Sequence, residues 1–188
     1  MQRQNGGDNP FPAVLAAARA GEAWALARIY TSLGPAVAGL LRLQDAGEPE
    51  DLTSEVFVGV LRRIEGFAGD EAAFRSWVFT IAYRRLADER RRCARRPPTV
   101  PLDDLPEMPA TDDVAAEVER SLATQRVRAL CDHLGPGQRD VLLLRLVGRL
   151  TVNEVAVLVG RSPSAVKALQ RRGLATIVQL LEREDATL

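Results

Sequence analysis

Residues 151–172 read TVNEVAVLVGRSPSAVKALQRR and carry the local signals of two short helices joined by a tight turn. Thr151 is a good N-cap residue, and Glu154 follows three positions later, where a capping box needs it. Ala156 is the small residue that two helices crossing at a steep angle require, and Gly160 tolerates the positive φ of the turn. The spacing of these residues predicts a helix-turn-helix.

The second helix of this motif begins after another cap residue, Ser162, with Pro163 as its first residue. Its outer face would offer side chains that suit a DNA major groove, because arginine and lysine bind phosphates and guanine edges and glutamine binds adenine. We expect the DNA-binding set to comprise Arg161, Ser164, Lys167, Ala168, Gln170, Arg171 and Arg172. The alternative interpretation is an ordinary packed helix with a solvated, charged face.

Charge is divided unevenly along the chain. Its 188 residues carry 25 basic and 25 acidic side chains, and this formal net charge of zero, taken alone, argues against a nucleic-acid partner. However, residues 84–96 carry a net charge of +5, residues 97–119 carry −7 and residues 135–173 again carry +5. The two basic segments are therefore candidate nucleic-acid-binding surfaces.

The acidic segment also contains a cluster of prolines, which cannot continue a helix: Pro97, Pro98, Pro101, Pro106 and Pro109. Elsewhere apolar residues recur every three to four positions, and no segment alternates with period two. We therefore expect an all-α fold of two small helical domains, residues 1–96 and 113–188, joined by a Pro-rich acidic linker over residues 97–112. Within the first domain, we expect Gly34 and Pro35 to interrupt a helix.

Aromatic residues and arginines share the last helix of the first domain. Trp77 has the spacing of a core residue, whereas Phe79 and Tyr83 are the better candidates for exposed rings. Rings beside arginines suit single-stranded or melted nucleic acid, because bases stack on rings and cations follow the phosphates. The arginines alone would be an ordinary solvated helix end; they are Arg84, Arg85, Arg90, Arg91 and Arg92.

A cluster of acids stands at the start of the preceding helix, at Glu48, Glu50, Asp51 and Glu55. Carboxylates at a helix N-terminus are stabilised by the helix dipole, so a structural role is sufficient. The same cluster could dock a basic partner. The pattern of the sequence leaves both interpretations open.

Several function classes lack any candidate residues. The chain has one histidine, His133, two cysteines, Cys93 and Cys131, and no phosphate-binding or nucleophile motif. We expect no catalytic site, no metal site and no cofactor, so the protein is not expected to be an enzyme. No apolar run approaches the ~18 residues of a membrane span, and the start is not a convincing signal peptide. We therefore expect a cytoplasmic protein without membrane insertion.

Five stretches resemble the extracytoplasmic-function (ECF, group IV) sigma factors of the sigma-70 family. PEDLTSEVF at 49–57, FAGDEAAFRSWVFTIA at 67–82 and LADERRR at 86–92 are similar to region 2 of that family. LGPGQRDVLLLR at 134–145 and SAVKALQRR at 164–172 are similar to region 4. The resemblance implies an alternative bacterial sigma factor that binds core RNA polymerase through its β and β′ subunits and recognises the −10 and −35 elements of promoter DNA. It also implies an anti-sigma factor as a partner. Only about seven residues follow Leu181, so we expect no third, ligand-binding domain after region 4.

The resemblance assigns roles to individual residues. Contact with core polymerase falls on Glu50, Asp51, Ser54 and Glu55, where Ser54 replaces the glutamine usual in the family. Recognition and melting of the −10 element fall on Gly69, Asp70, Phe79, Tyr83, Arg84, Arg85, Arg91 and Arg92. The second helix of the helix-turn-helix would read the −35 element.

Two other classes of protein remain as alternatives. A helix-turn-helix transcriptional regulator acting without core polymerase would explain the C-terminal half equally well, with the N-terminal bundle sensing a ligand or dimerising. It does not explain the basic, aromatic-bearing helix before an acidic linker. A helical adaptor that never contacts DNA would leave both basic segments as coincidence.

Overall fold

The computed structural model describes residues 10–95 and 124–185, so the predicted linker over 97–112 lies outside the described residues. The described chain contains helices and no strand, as the all-α prediction requires. An N-terminal unit comprises α1 (Phe11–Arg19), α2 (Ala23–Leu43), α3 (Pro49–Leu61), a short 3-10 helix (Ile64–Gly66) and α4 (Glu71–Arg95). A C-terminal unit comprises α5, described over 124–132, α6 (Pro136–Leu146), α7 (Val152–Val159) and α8 (Pro163–Asp185).

The expected interruption at Gly34 and Pro35 is wrong, because α2 continues through both residues. Part of the steric clash of a proline ring falls on the Cβ of the residue before it, and Gly34 has no Cβ. Gly34 is buried, and its missing Cβ would lie 3.4 Å from the ring of Tyr30. Leu33 and Val37 on either side are buried in the core, so packing holds the helix together where local propensity alone predicts a break.

The two units pack against each other and share one continuous hydrophobic core. In the N-terminal unit, Val56, Val78 and Leu86 are fully buried where α3 and α4 meet. In the C-terminal unit, Leu144 and Val155 belong to the same cluster of touching buried side chains. The helices α4 and α7 contact each other directly, and so do α2 and α6. One side of α4 therefore faces the C-terminal unit.

None of the helices in the described ranges combines the length and apolar character needed to cross a bilayer. Among those same residues, no cluster of three or more histidine, cysteine, aspartate or glutamate side chains could hold a metal ion.

Candidate nucleic-acid interface

The helix-turn-helix forms where the sequence predicts it, with α7 and α8 as its two helices. Thr151 and Glu154 make a reciprocal capping box: Glu154 Oε2 accepts from the Thr151 N–H at 2.6 Å, and Thr151 Oγ1 accepts from the Glu154 N–H at 3.2 Å. Partial burial acts to raise the pKa of Glu154, but hydrogen bonds from Thr151 and Ser76 and the charge of Arg145 together outweigh it, so this pKa lies below its usual range. The cap thus fixes where α7 begins.

The turn between these helices depends on Gly160, which ends α7 in the left-handed conformation with φ of 64°. The hydroxyl of Ser162 then accepts from the Ala165 N–H at 3.2 Å and caps α8. Val155 and Val166 are completely buried between the helices, and Ala156 is buried beside them. These contacts hold α8 at a fixed angle with one face outward.

The outward face of α8 is basic. Of the predicted −35 set, the side chains that the structure leaves exposed are Arg161, Ser164, Lys167, Arg171 and Arg172. Arg172 Nε also donates to the Ala168 carbonyl at 3.4 Å along the same helix. An exposed helix face with several cations and a hydroxyl is the surface that major-groove recognition requires.

Gln170 and Ala168 are less accessible than expected, because both are half-buried. Gln170 lies on the side of α8 that meets α6, where its Oε1 accepts from Arg145 Nε at 3.3 Å. Arg145 also donates to the carbonyl of Leu150 in the loop before α7. Arg145 therefore ties α8 to the start of α7, and the expectation that Gln170 points outward is wrong.

The predicted −10 surface lies on α4, and the C-terminal unit covers part of it. Phe79, expected to be exposed, has 0 % exposure. The guanidinium of Arg75 lies 5.0 Å from the centre of the Phe79 ring, and Arg75 NH2 donates to the Val147 carbonyl at the end of α6 at 2.6 Å. Burial and the nearby charge of Arg149 lower the pKa of Arg75. The prediction for Phe79 is wrong because it depends on what packs over α4, and local sequence does not carry that information.

Tyr83 and Arg90 continue the same side of α4 and meet one carboxylate. The Tyr83 hydroxyl donates to Asp140 Oδ2 at 2.6 Å, and Arg90 NH1 lies 3.5 Å from Asp140 Oδ1. Burial, then the hydrogen bond to Asp140, raises the pKa of the Tyr83 phenol well above its usual range. Arg90 also donates to the carbonyl and side-chain oxygens of Gln44, at 2.8 and 2.7 Å. We name Arg75, Phe79, Tyr83 and Arg90 the α4 stripe.

All four predicted −10 arginines lie outside the α4 stripe. Arg84, Arg91 and Arg92 are exposed and Arg85 is half-buried. Arg85 NH1 lies 3.6 Å from Glu55 Oε2, and Arg91 pairs with Asp88 one turn earlier. Exposed ion pairs of this kind are weak, so these guanidinium groups remain available to phosphates.

Gly69 and Asp70 shape the loop before α4. Asp70 Oδ1 accepts from the Ala73 N–H at 2.8 Å and so caps the helix. Gly69 has φ of 155°, and a Cβ there would lie 2.9 Å from both the Phe67 ring and the Ala73 Cβ. Both residues therefore have a structural task in addition to the predicted one.

The four predicted polymerase-contact residues lie together on the exposed first half of α3. Glu50 accepts from Arg42 Nε at 2.9 Å, and the Ser54 hydroxyl donates to the Glu50 carbonyl at 3.1 Å. Asp51 and Glu55 are exposed one turn apart, and Glu55 also lies 3.6 Å from Arg85 of α4. We name Glu50, Asp51, Ser54 and Glu55 the α3 acidic face; the C-terminal unit leaves it open.

A second polar contact between the units centres on Asp45, which sequence reasoning missed. Asp45 follows α2 with φ of 54°, and its Oδ1 accepts from Arg128 at 3.0 Å while Oδ2 pairs with Arg139. Arg139 also bonds Asp132 at 2.7 Å and the Cys131 carbonyl at 3.0 Å. Partial burial works to lower the pKa of Arg139, but these carboxylates outweigh it and raise that pKa.

Comparison with known proteins identifies both units. Residues 29–96 match the family described as Sigma-70 region 2, and residues 124–177 match the family described as Sigma-70, region 4. The ECF RNA polymerase sigma factor ShbA of Streptomyces griseus is 35% identical over 139 residues, which cover 71% of this chain and 72% of ShbA. The ECF RNA polymerase sigma factor SigK of Mycobacterium tuberculosis is 31% identical over 166 residues, covering 84% of this chain and 86% of SigK.

The solved structure of CnrH in complex with the cytosolic domain of CnrY has the same fold. It superposes with a TM-score of 0.62 at 23% identity, covering 93% of this chain and 99% of CnrH. The geometry thus defines a class: a helical DNA-binding protein with a helix-turn-helix unit and a second helical unit that carries an arginine-rich helix. The chain belongs to the ECF RNA polymerase sigma factors. It is an alternative sigma factor that directs promoter recognition, and the prediction of this family is confirmed.

Proposed function

We propose that residues 1–96 bind core polymerase and recognise the −10 element, that residues 113–188 recognise the −35 element, and that 97–112 connect them. The observation that carries this proposal is the placement of two arginine-bearing helices, α4 and α8, in different units, with the outer face of α8 open to solvent. The α3 acidic face supplies a third, oppositely charged surface on the N-terminal unit. Each surface would serve a different partner in one initiation complex.

The −35 reader is the exposed face of α8. Lys167 and Arg171 lie one turn apart and would contact guanine edges or phosphates, and Arg161, Ser164 and Arg172 would bind the backbone around them. Gln170 would help to orient α8 for DNA contact, because its amide oxygen accepts a hydrogen bond from Arg145 on α6. Ala168 is small enough to let α8 approach the base edges.

The −10 surface is the arginine-rich part of α4 with the loop before it. Tyr83 offers a ring for an unstacked base, and Arg84, Arg85, Arg91 and Arg92 would follow the phosphates. Gly69 and Asp70 would form the loop that receives a flipped base. Phe79 would contribute only after the C-terminal unit has moved away, since it is now completely buried.

The α3 acidic face would bind the β′ subunit of core polymerase, and the C-terminal unit would bind the β subunit. Glu50, Asp51, Ser54 and Glu55 are all exposed, and three of them are acidic. A face of this charge would favour a basic partner surface and speed its association. Ser54 is shorter than the glutamine usual at this position, so neighbouring carboxylates would carry more of the contact.

Reading both promoter elements requires the two units to separate. The centres of the −35 and −10 elements are about 25 base pairs apart, or about 85 Å at ~3.4 Å per pair. A packed chain of this length measures only about 40 Å across. The 28 residues numbered 96–123 can reach about 90–100 Å at most, so they are long enough to bridge the two elements. The packed arrangement is therefore a state of the free chain, and the polymerase-bound state would be open.

The chain would act in the bacterial cytoplasm, would carry no catalytic site and no cofactor, and would be regulated by an anti-sigma factor. CnrH was solved with a partner, the cytosolic domain of CnrY, which supports regulation of this chain by a bound protein. Catalysis of RNA synthesis would belong to the polymerase that this chain directs.

Run-off transcription with purified core polymerase tests the proposal. We expect new start sites on genomic fragments when the chain is added, and co-elution of the chain with core on gel filtration. The Asp51→Arg variant, altered on the α3 acidic face, is the matched control and should support neither. Tight binding of the free chain to duplex DNA, with no new start sites, would instead identify a regulator that works without polymerase.

A further inference from the structure

We propose that Arg19, the last residue of α1, is a positioning residue for −10 recognition, because it holds the backbone of the loop before α4. The inference deepens the proposed function and rests on the role given there to Gly69 and Asp70. Helix α1 spans Phe11–Arg19 and lies outside residues 29–96, which match the region 2 family. The family match therefore assigns this helix no task.

The guanidinium of Arg19 contacts two backbone carbonyls at once. Its Nε donates to the Ile64 carbonyl at 3.3 Å, and its Nη2 donates to the Phe67 carbonyl. The Ile64 carbonyl also accepts from the Phe67 N–H at 3.2 Å, which closes the turn after the 3-10 helix. Because the donors of a guanidinium lie in one rigid plane, Arg19 fixes the two carbonyls relative to each other.

The hydrophobic core fixes the position of Arg19 in turn. Val14 and Ala18 of α1 are buried, with 4% and 3% exposure. The Phe11 ring packs on Phe74 of α4, with the ring centres 5.4 Å apart, and α1 also contacts the 3-10 helix. Arg19 therefore extends from a well-packed helix and couples the loop to the core of the N-terminal unit.

The loop is held at both ends and open between them. It begins at Phe67, whose carbonyl accepts from Arg19, and it ends at Asp70, which caps α4 through the Ala73 N–H at 2.8 Å. Residues 68–70 are exposed. A loop with fixed ends and an exposed middle is pre-organised for a ligand, because little conformational freedom remains to be lost on binding.

Removal of the Arg19 guanidinium should change the loop more than the stability of the fold. The hydrogen bond to Phe67 is exposed, so water can replace the lost donor there. The loop would then sample several conformations, and a flipped base would find the binding-competent one in only a fraction of molecules. The apparent affinity for that base falls by the same fraction.

The test uses the full-length chain bound to purified core polymerase. Arg19→Met keeps a long side chain and removes both donors, whereas Arg19→Lys keeps the charge and can donate to one carbonyl. Arg62→Met is the matched control, because it makes the same change of charge at an exposed residue just before the 3-10 helix. Circular dichroism and thermal unfolding verify that every variant is folded.

Two measurements are made on a promoter that the wild-type chain transcribes. The first is base preference, from run-off transcription of templates that carry each base in turn at every position of the −10 element. The second is the fluorescence of 2-aminopurine placed in the −10 element, which rises when the base leaves the stack. Neither readout would change selectively if Arg19 only stabilised the fold.

We expect Arg19→Met to lower the preference for the favoured base at one −10 position about tenfold, and to lower the 2-aminopurine signal at that position. The base preference at the −35 element and co-elution with core should stay as in the wild type. Arg19→Lys should restore part of the −10 preference, and Arg62→Met should match the wild type.

An unchanged −10 preference in Arg19→Met, or equal losses at the −10 and −35 elements, would overturn the inference and leave the proposed function intact. An equal loss in Arg62→Met would also overturn it, because the effect would then belong to charge alone. If the wild-type holoenzyme shows no base preference at any −10 position, the proposed role of the loop fails together with the inference.

Discussion

The Tyr83 hydroxyl, on the last helix of the N-terminal unit, donates a 2.6 Å hydrogen bond to Asp140 on the second helix of the C-terminal unit. The two residues are 57 positions apart in the chain. A tyrosine that the sequence predicts to contact DNA is therefore already hydrogen-bonded within the protein. The effect of this hydrogen bond on the phenol can be measured.

The titration of Tyr83 should report the contact directly. Burial and the bond to Asp140 raise the pKa of the phenol, with Arg90 and Arg161 acting in the opposite direction. The protonated phenol therefore stabilises the packed state below about pH 10, the ordinary tyrosine pKa, and this contribution is lost as pH rises through the higher pKa of the packed state.

The measurement is the ultraviolet absorbance of tyrosinate during an alkaline titration in a Tyr30→Phe background, which leaves Tyr83 as the reporter because the chain has two tyrosines. Asp140→Asn in that background should move the transition toward about pH 10. An identical transition with and without Asp140 would show that the hydrogen bond has no effect on the phenol.

Single substitutions on α8 should weaken −35 recognition. Lys167→Ala and Arg171→Ala each remove a cation from the exposed face, and a specific base contact contributes about 1–3 kcal/mol. Transcription from promoters that depend on the −35 element should fall accordingly. Arg183→Ala, near the far end of the same helix, is the control; equal losses in all three variants would assign the effect to overall charge.

Gln170→Ala should behave differently from those two variants. Because Gln170 Oε1 is held by Arg145 Nε, the substitution loosens the packing of α8 on α6 and should cost about 1 kcal/mol in free energy of unfolding. The base preference at the −35 element should stay as in the wild type. A changed base preference at the −35 element, with unchanged stability, would show that Gln170 contacts DNA directly.

Gly69→Ala should destabilise the loop before α4. The added Cβ would lie 2.9 Å from the Phe67 ring and the residue has φ of 155°, so a loss of about 1–3 kcal/mol is expected in urea unfolding. Gly66→Ala is the matched control, since no atom lies within 4 Å of its added Cβ. If both variants are equally stable, the glycine is required for DNA contact alone.

Asp51→Arg should abolish binding to core polymerase while helix content stays unchanged. The residue is exposed in the first turn of α3, so a reversed charge meets the partner without disturbing the core. Glu65→Arg, an exposed acid in the 3-10 helix, serves as the control in the same co-elution assay. Normal affinity of the Asp51 variant for core would exclude the α3 acidic face from docking.

The parts of the structure that were predictable are those with local causes. The helix α7 begins and ends where the sequence predicts because Thr151, Glu154 and Gly160 are near neighbours whose caps and turn need no distant partner. The break predicted at Pro35 failed for the opposite reason, since burial of the flanking residues keeps α2 intact.

The misplaced side chains of the candidate interface depend on distant partners. Phe79 is covered by a unit that lies more than 40 residues further along the chain, and Gln170 is turned inward by Arg145. Arg75, Asp45 and Asp140 were missed because each reads as an ordinary surface charge. The sequence offered one signal for Asp140: it is a single acidic residue within a basic segment, which indicates a specific partner.

The covalent link between the two units has a consequence for dosage in the cell. Because the units belong to one chain, their contact is intramolecular, and the fraction of packed molecules is independent of how many copies are made. An inhibitor encoded separately loses occupancy when its concentration falls below its dissociation constant. Overproduction of the sigma factor can saturate such an inhibitor. Each new chain, by contrast, would still form its own contact between Tyr83 and Asp140.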